Sequence, residues 1–377
     1  MESTVGIALL GCGTVGGGVA GLLSQRRAHI ERRSGARYEL LGIANRSHDP
    51  LSLVDDPRTD VVIECIGGTD IALECIERAL ESRKHVVTAN KDAIATQGPR
   101  LRALAQAKGV TLRYEASVAS AVPIVTTLDH ALAGDEIVEI GGVLNGTCNF
   151  ILSKMREGRT FAESLLAAQV AGYAEADPRN DIEGTDAAHK LAILIQHAFG
   201  QPVISPRIPR RGILGVTSAT VRRARQHGYE LKLVAFAKRS AEGINAEVGP
   251  VLVPFAHPFA QCGGVDNVVR VVGASSGPLF FSGAGAGRDA AAAAVLGDVI
   301  ATLRALAERH NARPARPAAF ATQPVAGAFE HFPAFAGYPV LTGHSHHAPA
   351  TQELLAHSSP GNGEEHVDHA HRTIAAV

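Results

Sequence analysis

The amino-acid sequence predicts an α/β protein in two parts: a doubly wound parallel sheet followed by an α+β domain. Three observations support this prediction. Predicted strands and helices alternate regularly over residues 1–125, which is typical of a parallel sheet. A glycine turn, GCGTVG, joins the first predicted strand to the first predicted helix. From about residue 135 the pattern changes to helices and then to alternating stretches that indicate antiparallel strands.

The first part begins with a buried strand, VGIALL, and a helix, VGGGVAGLLSQRR. Further strands are predicted at YELLGIANRS, VDDPRTDVVIECIGG, KHVVTANK and VTLRYEASV, and helices at IALECIERALESR and LRALAQAKG. In the second part, DAAHKLAILIQHAFG has the apolar spacing of an amphipathic helix. YELKLVAFAKRS, NAEVGPVLVPFAHP and NVVRVVGASSGPLFFSG follow as strands, and GDVIATLRALAERH is a long helix that we expect to return to the first domain.

Bulk composition excludes several classes of protein. A length of 377 residues accommodates two domains, and a net charge of −1 provides no basic footprint for nucleic acid or an anionic membrane. No apolar run is expected to span a bilayer, and the N-terminus lacks the basic segment of a signal peptide. The five cysteines are scattered and odd in number, which favours reduced thiols and a cytoplasmic location.

The glycine turn at residues 11–16 has the spacing of a Rossmann-type dinucleotide-binding site. The first glycine allows the tight turn, the second lets a pyrophosphate approach the backbone, and the third lets helix pack on strand. The helix N-terminus then offers N–H groups to the phosphates. The alternative is a turn that is merely rich in glycine. The predicted cofactor contacts here are Gly11, Gly13, Thr14, Val15 and Gly16.

The ends of the next three strands supply further candidates. The second strand ends in Asn45-Arg46, where an NAD-specific site usually carries an acid. Arg46 suits a 2′-phosphate, which favours NADP; NAD remains possible, and Arg46 would then be a solvated loop cation. Ile66-Gly67 and Lys91 end the following two strands, at the sheet edge where ligands bind in open α/β folds.

An acidic stretch from Gly172 to Lys190 holds five carboxylates and ends in a lysine. Asp186 and Lys190 are four residues apart and so share one helix face, as in many surface pairs. The remaining acids precede this helix in a loop, where ligand-binding residues gather. Such carboxylates suit a cationic amine, with a divalent metal as the rival interpretation. A lysine among acids must be buried to act as a base near neutral pH.

Six motifs, in order, resemble homoserine dehydrogenase over about residues 5–310: GCGTVG, VVTANK, YEASVASAVPIV, GVLNGTCNFIL, GYAEADPRNDIEGTDAAHKLAIL and GAGAGRDAAAAAVLGDVI. The resemblance implies NAD(P)H-dependent interconversion of L-aspartate 4-semialdehyde and L-homoserine, in the biosynthesis of threonine, methionine and isoleucine. It also implies a homodimer formed through the sheet of the second domain.

Carried over residue by residue, Lys190 resembles the family's proton donor and acceptor at the substrate oxygen, and Asp186 resembles the partner that holds it. Lys91 resembles the lysine at the junction of nicotinamide and substrate. Glu175 and Asp181 resemble the acids that bind the substrate amine and hydroxyl. The remaining matches are Gly146, Thr147 and Tyr173 in the substrate pocket and Gly287 as a cofactor contact.

The segment YEASVASAV resembles the family's monovalent-cation loop. The resemblance implies sodium or potassium bound by Glu115, Val118, Ser120 and Val122, largely through backbone carbonyls; oxygen ligands suit such a hard ion. The alternative is a plain strand-to-helix turn.

The motifs imply four segments. Residues 1–130 are the dinucleotide-binding domain, 131–290 the substrate-binding, catalytic and dimerisation domain, and 291–312 the returning helix. Residues 313–377 form a tail that holds eight of the 17 histidines and is expected to be weakly ordered, with metal binding by its histidines as the alternative. The tail does not resemble the regulatory domain of many bacterial members, which makes feedback by threonine doubtful. PRIPRRG is more basic than the family pattern.

Three other functions are compatible with parts of this pattern. A related amino-acid or semialdehyde dehydrogenase would differ in substrate. A nucleotide-binding regulatory protein would bind cofactor without turnover, although the Asp186–Lys190 pair argues against it. A metal-dependent lyase or transferase would use the carboxylates and lose activity in EDTA.

Overall fold

The first strand, β1 (Val5–Leu10), is buried along its whole length at the interior of a parallel sheet. The structure is a computed structural model that describes residues 4–310. The other strands of this sheet are β2 (Tyr38–Ala44), β3 (Val61–Glu64), β4 (His85–Thr88) and β5 (Leu112–Arg113). Their order is β2-β1-β3-β4-β5, with every neighbouring pair parallel. The chain changes direction across the sheet between β1 and β3, so a ligand crevice is expected at the carboxyl ends of these strands.

Alternate residues of β1 face two different cores, which explains why the strand is apolar throughout. Ala8 and Leu10 belong to one core cluster and Ile7 and Leu9 to the other. Helices therefore cover both faces of the sheet, and the predicted doubly wound α/β fold is confirmed. The helices of this half are α1 (Thr14–Gln25), α2 (Arg27–Ser34), α3 (Pro50–Asp55), α4 (Ile71–Glu81) and α5 (Lys91–Lys108).

The second half is built on an antiparallel sheet of five strands, as predicted. Its strands are β6 (Ile137–Val143), β7 (Tyr229–Ser240), β8 (Gly243–Pro254), β9 (Asp266–Gly273) and β10 (Gly277–Ala284), in the order β10-β9-β6-β7-β8. Its helices are α6 (Ile124–Thr126), α7 (Gly146–Arg156), α8 (Phe161–Val170), α9 (Arg179–Ile182), α10 (Thr185–Phe199), α11 (Ser218–Gln226) and α12 (Pro258–Gln261). One turn of π-helix, Thr127–Ala131, and two 3₁₀ turns, Glu115–Ser117 and Ser205–Arg207, complete this part.

Helix α10 carries the amphipathic pattern seen in the sequence and packs against β6 and β7. Leu191, Leu194 and Ile195 are fully buried, so the helix is anchored in the core directly after the cleft-facing residues Asp186 and Lys190. Gly184 precedes the helix and Gly200 ends it, both with left-handed backbone.

The last helix, α13 (Arg288–His310), returns to the first domain, where Val295, Val299 and Leu303 pack with Ile7 and Leu9. In contrast to the expectation from sequence, this helix has the length and apolar composition needed to cross a membrane; no other helix among residues 4–310 has both. Of its apolar window, 44% is buried within the protein, because one face of the helix packs on α1 and the sheet.

Two local predictions were wrong. VTLRYEASV was expected to be one strand, but only Leu112–Arg113 is extended, and a 3₁₀ turn follows. The helix expected near residue 101 begins at Lys91, because the side-chain oxygen of Asn90 accepts a hydrogen bond from Ala93 N at 3.0 Å and caps the helix there. The predictions of weak order and of metal binding by histidines concern residues 313–377, which lie outside the described residues.

Candidate active site

The glycine turn has the backbone geometry that its spacing predicts. Gly11 has a φ of +92°, and a Cβ there would lie 2.5 Å from the carbonyl oxygen of Cys65. A Cβ at Gly16 would lie 2.0 Å from the Gly11 oxygen, so the start of α1 can pack on β1 only without a side chain. A Cβ at Gly13 would meet nothing within 4 Å. The turn therefore leaves open space at the position where a pyrophosphate would approach, and no side chain caps α1.

The adjacent loop at the end of β3 is held by a carboxylate that sequence reasoning missed. Glu64 is fully buried, and its Oε1 accepts hydrogen bonds from Ile66 N at 2.7 Å and Gly67 N at 3.0 Å. Its Oε2 accepts a hydrogen bond from the hydroxyl of Thr88 on β4. This acid thus joins the ends of two neighbouring strands below the crevice.

Arg46 lies where the sequence placed it, exposed at the end of β2. The preceding residue, Asn45, accepts hydrogen bonds from Ser47 N at 2.9 Å and interacts with His48 Nδ1 at 2.8 Å. The nearest acid, Asp49, caps α3 through Leu51 N. The end of β2 therefore presents a cation and no carboxylate of the kind that holds a ribose 2′-hydroxyl.

Two lysines from different domains converge on one carboxylate. Lys190 Nζ lies 2.9 Å from Asp186 Oδ2, and Lys91 forms an ion pair with Asp186 Oδ1. The side chains of Asp186 and Lys190 are 5% and 10% exposed, whereas that of Lys91 is 39% exposed. Lys190 also donates a hydrogen bond to the carbonyl oxygen of Leu144 at 2.7 Å. The predicted pair is therefore a buried element of a cleft.

Asn145, which sequence reasoning did not single out, links the acids of this cluster. Its Nδ2 donates to Asp181 Oδ1 at 2.7 Å and to Asp186 Oδ2 at 2.8 Å. Its Oδ1 accepts from Cys148 N at 2.7 Å and so caps α7. The signal was present in the sequence, since an asparagine directly before a helix is a typical cap, but a cap alone does not reveal what the other end of the amide binds.

Charge and burial shift the pKa values of this cluster in opposite directions. Burial works to raise the pKa of Asp186, but Lys190 and Lys91 outweigh it and hold this pKa well below its ordinary value. Burial raises the pKa of Asp181, which the hydrogen bond from Asn145 lowers only in part. Burial also opposes the charge on Lys91, yet the nearby carboxylates, Asp186 first, raise its pKa. Lys91 therefore remains a cation near neutral pH.

Other predicted substrate residues surround this cluster. Thr147 donates a hydrogen bond to the carbonyl oxygen of Tyr173 at 2.7 Å, and the ring of Tyr173 packs 5.0 Å from that of Phe150. Glu175 is exposed. Asp177 is also exposed and pairs with Arg179. Among residues 4–310 there is no group of three or more His, Cys, Asp or Glu side chains that could hold a metal ion.

One cleft of about 590 Å³ receives residues from both domains. The predicted site residues that line it are Thr14, Val15, Gly67, Lys91, Ser120, Gly146, Thr147, Tyr173, Glu175, Asp181, Asp186, Lys190 and Gly287. The predicted site residues that do not line it are Gly11, Gly13, Gly16, Arg46, Ile66, Glu115, Val118 and Val122. Thr14 and Val15 of the glycine turn thus open into the same space as Lys91 and Lys190, which lie at least 76 and 175 positions further along the chain.

The segment predicted to bind a monovalent cation has unusual backbone geometry. Ala119 and Ser120 have φ values of 54° and 38°, in the left-handed region that side chains rarely adopt. The carboxylate of Glu115 accepts hydrogen bonds from Val125 N at 2.8 Å and Thr126 N at 2.7 Å. This acid therefore caps a short helix within its own loop, a contact that the sequence did not suggest.

A parallel sheet with an open glycine turn at its crevice, and a buried lysine–aspartate pair in the same cleft, defines a dinucleotide-dependent oxidoreductase. Comparison with known proteins gives the particular reaction. A sequence model described as homoserine dehydrogenase matches residues 123–300, and one described as its NAD binding domain matches residues 11–115. The chain belongs to the homoserine dehydrogenase family, and it interconverts L-aspartate 4-semialdehyde and L-homoserine with a nicotinamide cofactor.

Individual relatives agree. The homoserine dehydrogenase of Pseudomonas aeruginosa is 41% identical over 316 residues, covering 80% of this chain and 73% of the relative. The crystal structure of the Thiobacillus denitrificans enzyme has a TM-score of 0.78 at 41% identity, covering 83% of this chain and 76% of that one. A hyperthermophilic archaeal homoserine dehydrogenase, solved in complex with NADPH, has a TM-score of 0.69 at 27% identity, covering 80% of this chain and 98% of that one.

Proposed function

We propose that the chain catalyses this reaction with Lys190 as the group that moves the substrate hydroxyl proton, and that NADP is its preferred cofactor. One observation carries the proposal: Lys91 and Lys190 converge on the buried carboxylate of Asp186 in a cleft that the glycine turn also enters. Two ammonium groups that converge on one carboxylate suit a reaction in which negative charge develops on a substrate oxygen bound beside them.

The residues of the cleft have separate tasks in this proposal. Asp181 and Glu175 bind the ammonium and hydroxyl groups of the amino acid. Lys190 donates a proton to the substrate oxygen when the aldehyde is reduced and removes it when the alcohol is oxidised. Asp186 and the Leu144 carbonyl fix the position of the Lys190 Nζ at 2.9 and 2.7 Å. When bound, the nicotinamide supplies or accepts the hydride.

Lys91 contributes charge rather than proton transfer in this scheme. Its raised pKa keeps it cationic, and it begins α5 at the edge of the nucleotide-binding sheet. That position is between the two domains, where the nicotinamide and the substrate would meet. Gly146, Thr147 and Tyr173 form the adjoining wall of the cleft and are proposed to exclude water from the reacting groups.

The preference for NADP rests on the end of β2. Arg46 is exposed there and the strand ends without a carboxylate directed at a ribose. A guanidinium binds phosphate in a planar, charge-assisted geometry. The archaeal relative solved with NADPH is consistent with this choice. Gly287, with a φ of +128°, lines the same cleft as Thr14 and Val15 and is proposed as a further cofactor contact.

We also propose a monovalent cation in the loop of Glu115, Val118, Ser120 and Val122. The fit rests on the backbone: within residues 4–310, the carbonyl oxygens of Val118 and Ser120 accept no hydrogen bond. The left-handed backbone at residues 119 and 120 is sterically costly. A cation bound by these carbonyl oxygens would offset that cost. Carbonyl oxygens are suitable ligands for sodium or potassium.

The chain is further proposed to be a cytoplasmic homodimer, with residues 1–130, 131–290 and 291–312 as its functional segments. The edge strands of the second sheet each expose an apolar side chain, Leu252 on β8 and Phe280 on β10, and such side chains are frequent at interfaces. Light scattering after size-exclusion chromatography tests the dimer; a monomeric mass across micromolar concentrations would reject it.

A single series of initial-rate measurements tests the proposed function. L-homoserine is offered with NADP⁺ and with NAD⁺, each in a sodium, potassium or tetramethylammonium buffer, and a panel of other amino alcohols is run in parallel. We expect the highest kcat/KM with L-homoserine and NADP⁺, and stimulation by sodium or potassium. Equal kcat/KM with both cofactors would reject the NADP preference. Loss of activity in EDTA would instead support a divalent metal among the carboxylates.

A further inference from the structure

A second polar contact joins α5 to α10 beside the Lys91–Asp186 pair, and one of its two partners, Asp92, lines the cleft. His189 Nδ1 lies 2.8 Å from Asp92 Oδ1. Asp92 follows Lys91 in the first turn of α5, and His189 precedes Lys190 on α10. Both contacts therefore join α5 to α10. Asp92 and His189 are each adjacent in sequence to one of the two lysines.

Helical geometry explains how the contacts share one side of α10. Asp186, His189 and Lys190 are spaced i, i+3 and i+4, so they lie along one face of the helix. On α5, the cap formed by Asn90 fixes the first turn at the end of β4. Both residues that α5 contributes thus come from a rigid helix start rather than from a loop.

The pair is a defined hydrogen bond. A carboxylate can only accept, so Nδ1 of His189 carries the proton in this contact. The hydrogen bond from His189 lowers the pKa of Asp92, which keeps the acceptor ionised. The side chain of His189 is only 16% exposed, and that of Asp92 is 38% exposed, so solvent screens this contact less than an ordinary surface pair.

We propose that Asp92 and His189 form a positioning pair that holds α5 against α10 and thereby sets the separation of the Lys91 and Lys190 ammonium groups across the cleft. The inference rests on the proposed roles of those two lysines. The Lys91 side chain is 39% exposed, so solvent screens its contact with Asp186 and the contact constrains the two helices less than a buried pair would. A displacement of about 1 Å at reacting groups can cost about a hundredfold in rate.

The same helix supplies a matched control. His197 Nδ1 lies 2.6 Å from Asp129 Oδ1, and Asp129 is 40% exposed, close to the value for Asp92. His197 lies seven residues beyond Lys190 on α10, and neither partner lines the cleft. Removing this pair should loosen the packing of α10 to a similar extent without moving the lysines relative to each other.

The experiment measures kcat, KM for L-homoserine, KM for NADP⁺ and Tm in six proteins. They are the wild type, Asp92→Ala, His189→Ala, the double variant Asp92→Ala/His189→Ala, Asp92→Asn and the control Asp129→Ala. We expect each single alanine variant to lower kcat about tenfold with little change in KM for NADP⁺. The double variant should be no slower than the slower single variant, because both changes break one contact. Asp92→Asn should recover most of the lost kcat, since the Asn Oδ1 accepts the same hydrogen bond.

Each of the following results would overturn the inference. A double variant whose losses multiply would mean that the two residues act independently. Asp92→Asn falling as far as Asp92→Ala would mean that the charge of Asp92 matters and its position does not. An equal loss of kcat in Asp129→Ala would indicate general loosening of α10.

Lys190→Met, assayed beside these variants, separates this inference from the proposed function. If Lys190→Met remains active, the role of Lys190 is wrong. If Lys190→Met is inactive while Asp92→Ala and His189→Ala keep wild-type kcat, only the positioning pair is wrong.

Discussion

The carboxylate of Asp186 lies 2.9 Å from the ammonium nitrogen of Lys190, one helical turn away on α10, and both side chains are almost completely buried. Exposed pairs at this spacing stabilise a helix by about 0.3–0.5 kcal/mol. Removing one partner of a buried pair, in contrast, costs about 3–5 kcal/mol because a charge is left without compensation. Lys91 provides a second cation for Asp186, so the loss of Lys190 should leave this carboxylate partly compensated.

Lys190→Met tests proton transfer while preserving most of the apolar length of the side chain. We expect kcat to fall by about 10² to 10⁴, the usual contribution of a positioned general acid or base. NADPH affinity, measured by fluorescence titration, should stay within about twofold, since Lys190 is proposed to contact substrate rather than cofactor. Lys238→Met, which removes a lysine that pairs with Glu139 on the second sheet, is the control. Near wild-type kcat in Lys190→Met would refute the assigned role.

Asn145 offers a test of how the substrate acids are arranged. Asn145→Ser keeps a capping side chain for α7 but loses the amide that joins Asp181 to Asp186. We expect kcat/KM for L-homoserine to fall about tenfold, because two neighbouring carboxylates lose a donor worth about 1.5–3 kcal/mol when bonded to charge. Asn145→Ala should show the same fall in kcat/KM. Because it also removes the cap of α7, its free energy of unfolding should be ~1 kcal/mol lower than that of Asn145→Ser. Unchanged kcat/KM in Asn145→Ser would show that the bridge is irrelevant to substrate.

Two parts of the site depend only on the spacing of nearby residues, and both could be predicted from the sequence. The glycine turn depends on six consecutive residues, and the Asp186–Lys190 pair depends on helical spacing, so both appeared in the sequence before any contact was known. The order of the parallel sheet was not predicted, but the alternation of strands and helices limited it to a doubly wound fold.

Contacts between distant segments were not predictable in the same way. Asp92 and His189 are separated by 97 positions, and neither belongs to a pattern that requires the other. The carboxylate of Glu115 accepts two backbone N–H groups ten and eleven residues further on, a contact that the resemblance to a cation loop did not imply. A carboxylate near a turn can accept hydrogen bonds from several different backbone or side-chain donors. Only the tertiary arrangement decides which of these donors it contacts.

Arg46→Ala tests cofactor choice independently of catalysis. Loss of a charge-assisted contact with a 2′-phosphate should raise KM for NADP⁺ about tenfold, equivalent to about 1.4 kcal/mol. KM for NAD⁺ should change by less than about twofold, since NAD⁺ has no phosphate at that position. Arg32→Ala, at an exposed position on α2, controls for the loss of one positive charge. Parallel changes for both cofactors would remove Arg46 from the proposed site.

Asp298 on α13 accepts a hydrogen bond through its Oδ2 from Glu115 N at 2.8 Å. Asp298 is 5% exposed. Burial raises its pKa to about 7; the hydrogen bond from Glu115 N opposes this shift, while the negative charge of Glu115 adds to it. The folded state therefore favours the neutral acid over a pH range in which the unfolded chain would ionise it.

The raised pKa of Asp298 makes the protein less stable as pH rises. The folded-state pKa lies above the unfolded value of about 4, so the stabilisation is complete below pH 4 and is lost as pH rises toward 7. At about 1.4 kcal/mol for each pH unit, the whole loss is of order 4 kcal/mol. Asp298→Asn cannot ionise and still accepts the Glu115 N–H, so its unfolding free energy should exceed that of the wild type at pH 8 and approach it at pH 4.

Chemical unfolding of both proteins at pH 4, 5, 6, 7 and 8 checks this prediction, because the difference between them cancels the titration of all other groups. Asp289→Asn, at an exposed position in the first turn of the same helix, should show a difference that hardly varies with pH. A constant difference between wild type and Asp298→Asn across this range would mean that Asp298 is ionised in the folded protein throughout. Such a result would also require a positive charge or a bound cation close to its second oxygen.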